Sequence, residues 1–262
     1  MPKGSYFKKH MEATGGTPRP REERVPMPDS IKQEFNDGKT ILLDKPLHWT
    51  SFDVVRKVRG ALQIKKVGHA GTLDPLATGL LIVCTGKHTK QIASLMVKEK
   101  TYTGSITLGA VTPTYDLEST PEQFRDTSHI TEQQILDTAA SFLGDQLQKP
   151  PVYSAIKKEG TAAYTLARRG EEVALEPRPI HIHSFRITRI KLPVIDFEIT
   201  CSTGTYIRSI AHDFGAMLQC GGYLSALRRT AVGDYPVTQA KGVEEFIQQL
   251  RERAVQEIKT DN

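Results

Sequence analysis

The stretch VIDFEITCSTGTYIRSIAHDFGAML, Val194 to Leu218, changes its period in the middle. Ile195, Phe197, Ile199 and Cys201 alternate, as on a strand with one buried face. Ile207, Ile210, Ala211, Phe214 and Leu218 then recur every three or four residues, as on one face of a helix. The joint CSTGTYIR reads as a strand-to-helix turn that exposes Tyr206 and Arg208 near the helix start.

Outward from this stretch the same two periods keep mixing. TYTGSITLGA reads as a strand with Tyr102, Gly104, Ile106 and Leu108 on one face, and LLIVCTG as a buried strand. TILL follows a turn at Asp37-Gly38 and is stopped by Pro46. Thr50 and Asp53 open a helix whose apolar face is Val54, Val55, Val58 and Leu62. Another helix is marked by the Thr131/Gln134 capping box, an Ile130/Ile135 staple and Gly144 as its stop. GVEEFIQQLRERAVQEI predicts an amphipathic helix near the end of the chain. Without internal repeats, this mixture predicts an α+β fold around a mixed, mostly antiparallel sheet flanked by helices.

Length and composition bound what the chain does. The 262 residues suffice for one large domain with appendages, and no apolar run approaches the roughly 18 to 20 residues of a membrane span. A net charge of +5 favours an anionic partner, though modestly. Cys84, Cys201 and Cys220 are too far apart for a disulfide framework or a C-x-x-C site, which points to a reducing cytoplasm. Residues 1–37 are polar, proline-broken and mildly basic, and are expected to form a disordered arm. Residues 38–240 form the expected catalytic domain, with 146–179 as a basic, tyrosine-bearing RNA-contacting insertion, and 241–262 the terminal helix.

Several chemistries fail on spacing. TGKHT lacks the glycine and the hydroxyl residue of a phosphate-binding loop, His181 and His183 have no further ligands at metal spacing, and no G-x-S-x-G elbow exists. Paired-carboxylate chemistry would need Asp116 or Asp213 brought beside Asp74 by folding. Asp74 stands out within GHAGTLDPLATGLL, Gly68 to Leu81, a glycine-rich loop in which Pro75 biases the aspartate toward an extended backbone. Either it begins an ordinary Asp-Pro turn or the loop holds one acid for chemistry.

GHAGTLDPLATGLL resembles the catalytic motif of the TruB-type tRNA pseudouridine synthases. LLDKP, KTYTGSITLGAVTPTYD, PPVYSAIKKEGTAAYTLARRG, CSTGTYIRSIAHDFG and LSALRRTAVGDY resemble that family in the same order, over about Lys39 to Gln239. The resemblance implies the pseudouridine synthase fold and isomerisation of uridine 55 in the T loop of tRNA, with no cofactor and no metal. It implies Asp74 as nucleophile, Tyr102 stacked on the target base and assisting loss of its C5 proton, and Arg208 paired with the carboxylate. By the same resemblance His69, Tyr206 and Leu227 meet the flipped uridine and Lys45 with Pro46 supports the loop, although core packing would equally explain Tyr102, and local backbone contacts His69. The partner implied is the T arm of tRNA and the enzyme a monomer. It looks like a short form, because after Val237 there is room only for a connector and a helix, where longer members continue into a PUA domain. A guide-dependent synthase, an RNA-binding or tRNA-folding factor, and a glycoside hydrolase are the alternatives.

Overall fold

The computed structural model describes residues 25–260, apart from 155, 159, 168 and 172. A ten-stranded sheet runs in the order β12-β1-β3-β10-β4-β9-β8-β5, with β2 paired to β3 and β11 to β10. In chain order the strands are β1 (Thr40–Lys45), β2 (Val67–Ala70), β3 (Ala77–Thr85), β4 (Lys100–Leu108), β5 (Gly144–Gln148), β6 (Lys157–Lys158), β7 (Thr161–Ala162), β8 (Arg178–Lys191), β9 (Val194–Cys201), β10 (Gly222–Val232), β11 (Tyr235–Pro236) and β12 (Lys241–Gly242). Only β1–β12 and β3–β10 pair in parallel, and β6 and β7 form a separate ribbon. The helices are α1 (Asp29–Asp37), α2 (Ser51–Leu62), α3 (Ile92–Met96), α4 (Glu132–Ser141), α5 (Ala163–Ala167), α6 (Ile207–Met217) and α7 (Val243–Thr260).

Two large clusters form the core. Ile106, Ile182, Ile195, Phe197 and Ile199 of β4, β8 and β9 meet Ile135 and Ala139 of α4 and Ile210 and Phe214 of α6. Under the other half of the sheet, Leu43, Leu81 and Val83 meet Val54 and Val58 of α2 and Leu250 and Ala254 of α7. The alternating burial of β9 and the helical burial of α6 reproduce the period change of the opening stretch. Both capping boxes form: Thr50 Oγ1 accepts from the Asp53 amide and Thr131 Oγ1 from the Gln134 amide.

Three expectations change. The expectation of a disordered arm over 1–37 fails for residues 29–37, because Ile31 and Phe35 are buried and α1 packs its Phe35 edge-on against Phe246 of α7, 6.4 Å between ring centroids. That partner lies more than two hundred residues away, so local composition could not show it; residues 1–24 lie outside the described residues. The insertion is shorter than 146–179, since β5 and the start of β8 pair with one another in the main sheet. What remains between them carries its own small cluster of Ala163, Val173 and Leu175. Finally, the stretch Gly68 to Leu81 is loop only at its centre: β2 and β3 pair with one another, and residues 71–76 lie between them.

Candidate active site

Those six residues present Asp74 to a cleft of about 550 Å³ that also touches β4, β10 and the β9–α6 turn. The loop is pinned from several sides. Ser51, at the first residue of α2, accepts from the Leu73 amide at 2.9 Å and donates to the Leu73 carbonyl at 3.3 Å. The Asp74 carbonyl accepts from the Ala77 amide, and the Pro75 carbonyl from the His48 amide. Gly79 has φ +101°, and a Cβ there would stand 2.3 Å from the Arg229 carbonyl oxygen, so only glycine lets β3 and β10 close behind the loop.

Arg208 stands in the first turn of α6, where Gln148 holds the helix entry by donating to the Tyr206 carbonyl and accepting from its amide. Arg208 Nη2 donates to Asp74 Oδ1 at 3.3 Å, and Nε lies 2.9 Å from Oδ2 in an ion-pair contact. Its Nη1 donates to the carbonyls of Thr114 and Tyr153. The planar fork therefore joins the Asp74 loop to the segments that carry Thr114 and Tyr153, a task an ammonium would not perform. The side chain of Arg208 is 6% exposed while that of Asp74 is 37% exposed, so the acid faces the cleft and its partner the interior. A second acid reaches the same atom: Asp116 Oδ2 sits 3.7 Å from Nε. Burial raises the Asp116 pKa, opposed by the Thr114 hydroxyl and by Arg208. Folding thus does bring a second acid near Asp74, buried and on the same arginine.

Tyr102, Tyr206 and Leu227 line the same cleft as Asp74 and Arg208. Tyr102 is buried, and burial pushes its hydroxyl pKa up, with Arg229 opposing. Burial likewise raises the Tyr206 pKa. Two of the residues expected at the site do not reach the cleft. His69 lies on β2 opposite Val83, with Nδ1 buried beside the Gly71 backbone but out of hydrogen-bond geometry, and burial lowers its pKa. Lys45 ends β1 fully buried and donates to the carbonyls of Pro46 and Trp49 at 3.0 and 2.6 Å.

The sequence reading passed over Arg229, Lys100 and Gln148, and weighed Asp116 only as a glycosidase acid. Arg228 and Arg229 follow one another on a strand, so one faces out and one in; that alternation was the available signal. Arg228 pairs with Asp44, while Arg229 is 1% exposed. Lys100, also buried, donates to the Lys98 carbonyl and the Thr203 hydroxyl, tying β4 to the β9–α6 turn. A second cleft of about 570 Å³ is lined by Trp49, Asp53 and Arg56, but Asp53 is committed there to capping α2. Among the described residues there is no cluster of three metal-ligating side chains, and no helix is long and apolar enough to cross a membrane.

A mixed sheet that sets one arginine-held aspartate in an aromatic cleft is the architecture of the pseudouridine synthases. Residues 59–207 match the model of the TruB family pseudouridylate synthase N-terminal domain, and residues 208–259 that of the tRNA pseudouridylate synthase B C-terminal domain. The chain belongs to the TruB family of pseudouridylate synthases. It is 50% identical to tRNA pseudouridine synthase B of Flavobacterium johnsoniae, over 84% of this chain and 99% of that one. With the protein of the same name from Chloroherpeton thalassium it shares 45% identity, over 86% of this chain and 95% of that one. The fold is similar to that in a crystal structure of a Cbf5-Nop10-Gar1 complex, with a TM-score of 0.66 and 26% identity; the match covers 87% of this chain and 59% of the solved one.

Proposed function

We propose that this protein converts uridine 55 in the T loop of tRNA to pseudouridine, with Asp74 as the nucleophile. The observation that carries the reading is the Asp74–Arg208 pair, with its acid half-exposed to a cleft walled by Tyr102, Tyr206 and Leu227. The names of the relatives supply tRNA as the substrate class. In the reaction the N1–C1′ bond of uridine breaks and a C5–C1′ bond forms; N1 gains the proton that C5 loses. The balance needs no oxidant and no second substrate.

A uridine stacked in a loop has to leave the stack before its ring can turn. Flipping costs about a few kcal/mol, which stacking on Tyr102 and Tyr206 and packing on Leu227 offset. Arg208 contacts both carboxylate oxygens of Asp74 and so orients it. An ionised, oriented carboxylate serves attack at C1′, removal of the C2′ proton or addition to C6. Water exclusion by the closed base strengthens each of these routes.

The test is an unmodified tRNA transcript incubated with the pure protein, followed by mapping of pseudouridine. Wild type is expected to modify position 55 without any guide RNA, while Asp74→Asn folds, binds the transcript and forms none. Product from pure Asp74→Asn would remove the nucleophile assignment. Modification elsewhere, or only with a guide RNA, would remove the substrate assignment.

A further inference from the structure

Arg229 is among the largest fully buried side chains of the protein, and it lies against the cleft. Its Nε donates to the Leu80 carbonyl at 2.8 Å and its Nη2 to the Gly71 carbonyl at 3.2 Å. Across the β10–β4 ladder Arg229 is the direct partner of Tyr102. Both side chains line the same cleft, and the Arg229 charge lowers the Tyr102 pKa against the larger effect of burial. Among the described residues no carboxylate comes within ion-pair distance of Arg229. A guanidinium held on two carbonyls, with its charge unpaired, is costly to bury. Such a charge favours any nearby group that becomes negative.

Resting on the proposed function, we infer that Arg229 is a positioning residue for Tyr102: it fixes the phenol against the base and supplies the charge that stabilises the oxygen as it turns anionic. The step balances. The detached ring, anionic at N1, takes the Tyr102 proton; after C5 bonds to C1′, the Tyr102 oxygen takes the C5 proton and ends the cycle as a phenol. Without a cation beside it, an oxygen in so dry a place would give up its proton reluctantly. The same guanidinium holds Gly71, three residues before Asp74, so the two reacting side chains share one anchor.

The charged and titratable groups around the pair are few. Asp74 and Cys201 face Tyr102 and disfavour its anion, while Arg229 favours it. Lys45, His69 and Lys100 in turn feel the Arg229 charge. Lys100 is occupied by the carbonyls of Met96 and Lys98 and by Thr203, and Lys45 by Pro46 and Trp49, which leaves Arg229 as the cation on the phenol.

The experiment measures single-turnover pseudouridine formation against pH, with the full chain and an unmodified tRNA transcript, for wild type, Tyr102→Phe, Arg229→Gln, Arg229→Lys and the double variant Tyr102→Phe/Arg229→Gln. Arg229→Gln keeps a donor for the carbonyls and loses the charge. It is expected to bind the transcript within about twofold of wild type, to react roughly a hundredfold more slowly, and to show its falling limb, where Tyr102 loses the proton it must supply, at higher pH. Arg229→Lys should return the limb toward the wild-type position, and the double variant should be no slower than the slower single variant. Losses that multiply in the double variant, or a limb that does not move in Arg229→Gln, would overturn the role. Should Arg229→Gln fail to fold by circular dichroism, Arg229→Lys decides. A wild-type limb supports the role, and a displaced one overturns it. An inactive wild type, or an active Asp74→Asn, would instead overturn the proposed function itself.

Discussion

Lys45 has no exposed surface, and its ammonium rests on two carbonyls near the active-site loop. Burial pushes its pKa from 10.5 down to about 8, with Asp74 opposing. Between those values the unfolded chain holds a proton that the native one has released, so this residue adds stability as pH rises. Relative to Lys45→Met, wild type should therefore gain stability between about pH 8 and pH 10, read from urea midpoints of both proteins. The orphaned Pro46 and Trp49 carbonyls of the variant add an offset that does not vary with pH. A difference that stays constant over that range would mean the ammonium is not penalised by burial. At this scale Asp74 was legible from the glycines and proline around it, whereas its partner Arg208 stands 134 residues away and was placed by resemblance. For Arg229 the alternation with Arg228 showed only that one of the two faces inward, since nothing local tells which arginine is the buried one.

Among the elements, α2 acts on the site through its first turn. The Thr50 capping box fixes where the helix begins, and that places Ser51 on the backbone of Leu73, next to the aspartate. Ser51→Ala would leave a buried amide and carbonyl without their partner, at a cost of about 1 to 3 kcal/mol. The expected result is a lower unfolding midpoint together with a fall in kcat larger than any rise in KM, because the loop still binds but holds Asp74 less well. Equal activity in the folded variant would show that the loop is set by β2 and β3 alone. Capping boxes and period changes were readable because they are local. β2 was not, since its four residues include Gly68 and His69 and it is a strand only through its pairing with β3.

For the whole molecule, the open question is how the RNA is gripped beyond its target base. Residues 1–24 carry Lys3, Lys8, Lys9, Arg19, Arg21 and Arg24 against Glu12, Glu22 and Glu23. We propose that this arm contacts phosphates. Deleting residues 1–24 should weaken tRNA binding and flatten its dependence on salt, because each lost phosphate contact lowers the slope by roughly one. A slope equal to that of the full chain would assign the grip to the folded domain alone.

By itself the sequence determined the strands and helices with a clear period, where the two best-marked helices begin, and that one aspartate is held in a constrained loop. These follow from contacts between neighbours in the chain, which periodicity and capping record. The tertiary structure alone decided that Arg208 divides itself between Asp74 and the carbonyls of Thr114 and Tyr153, that Asp116 shares the same arginine, and that Arg229 lies across the β10–β4 ladder from Tyr102. It also decided that α1 belongs to the core and that β5 belongs to the sheet. Each of these joins residues far apart in sequence, and their energies depend on burial and pairing that exist only after the sheet has closed.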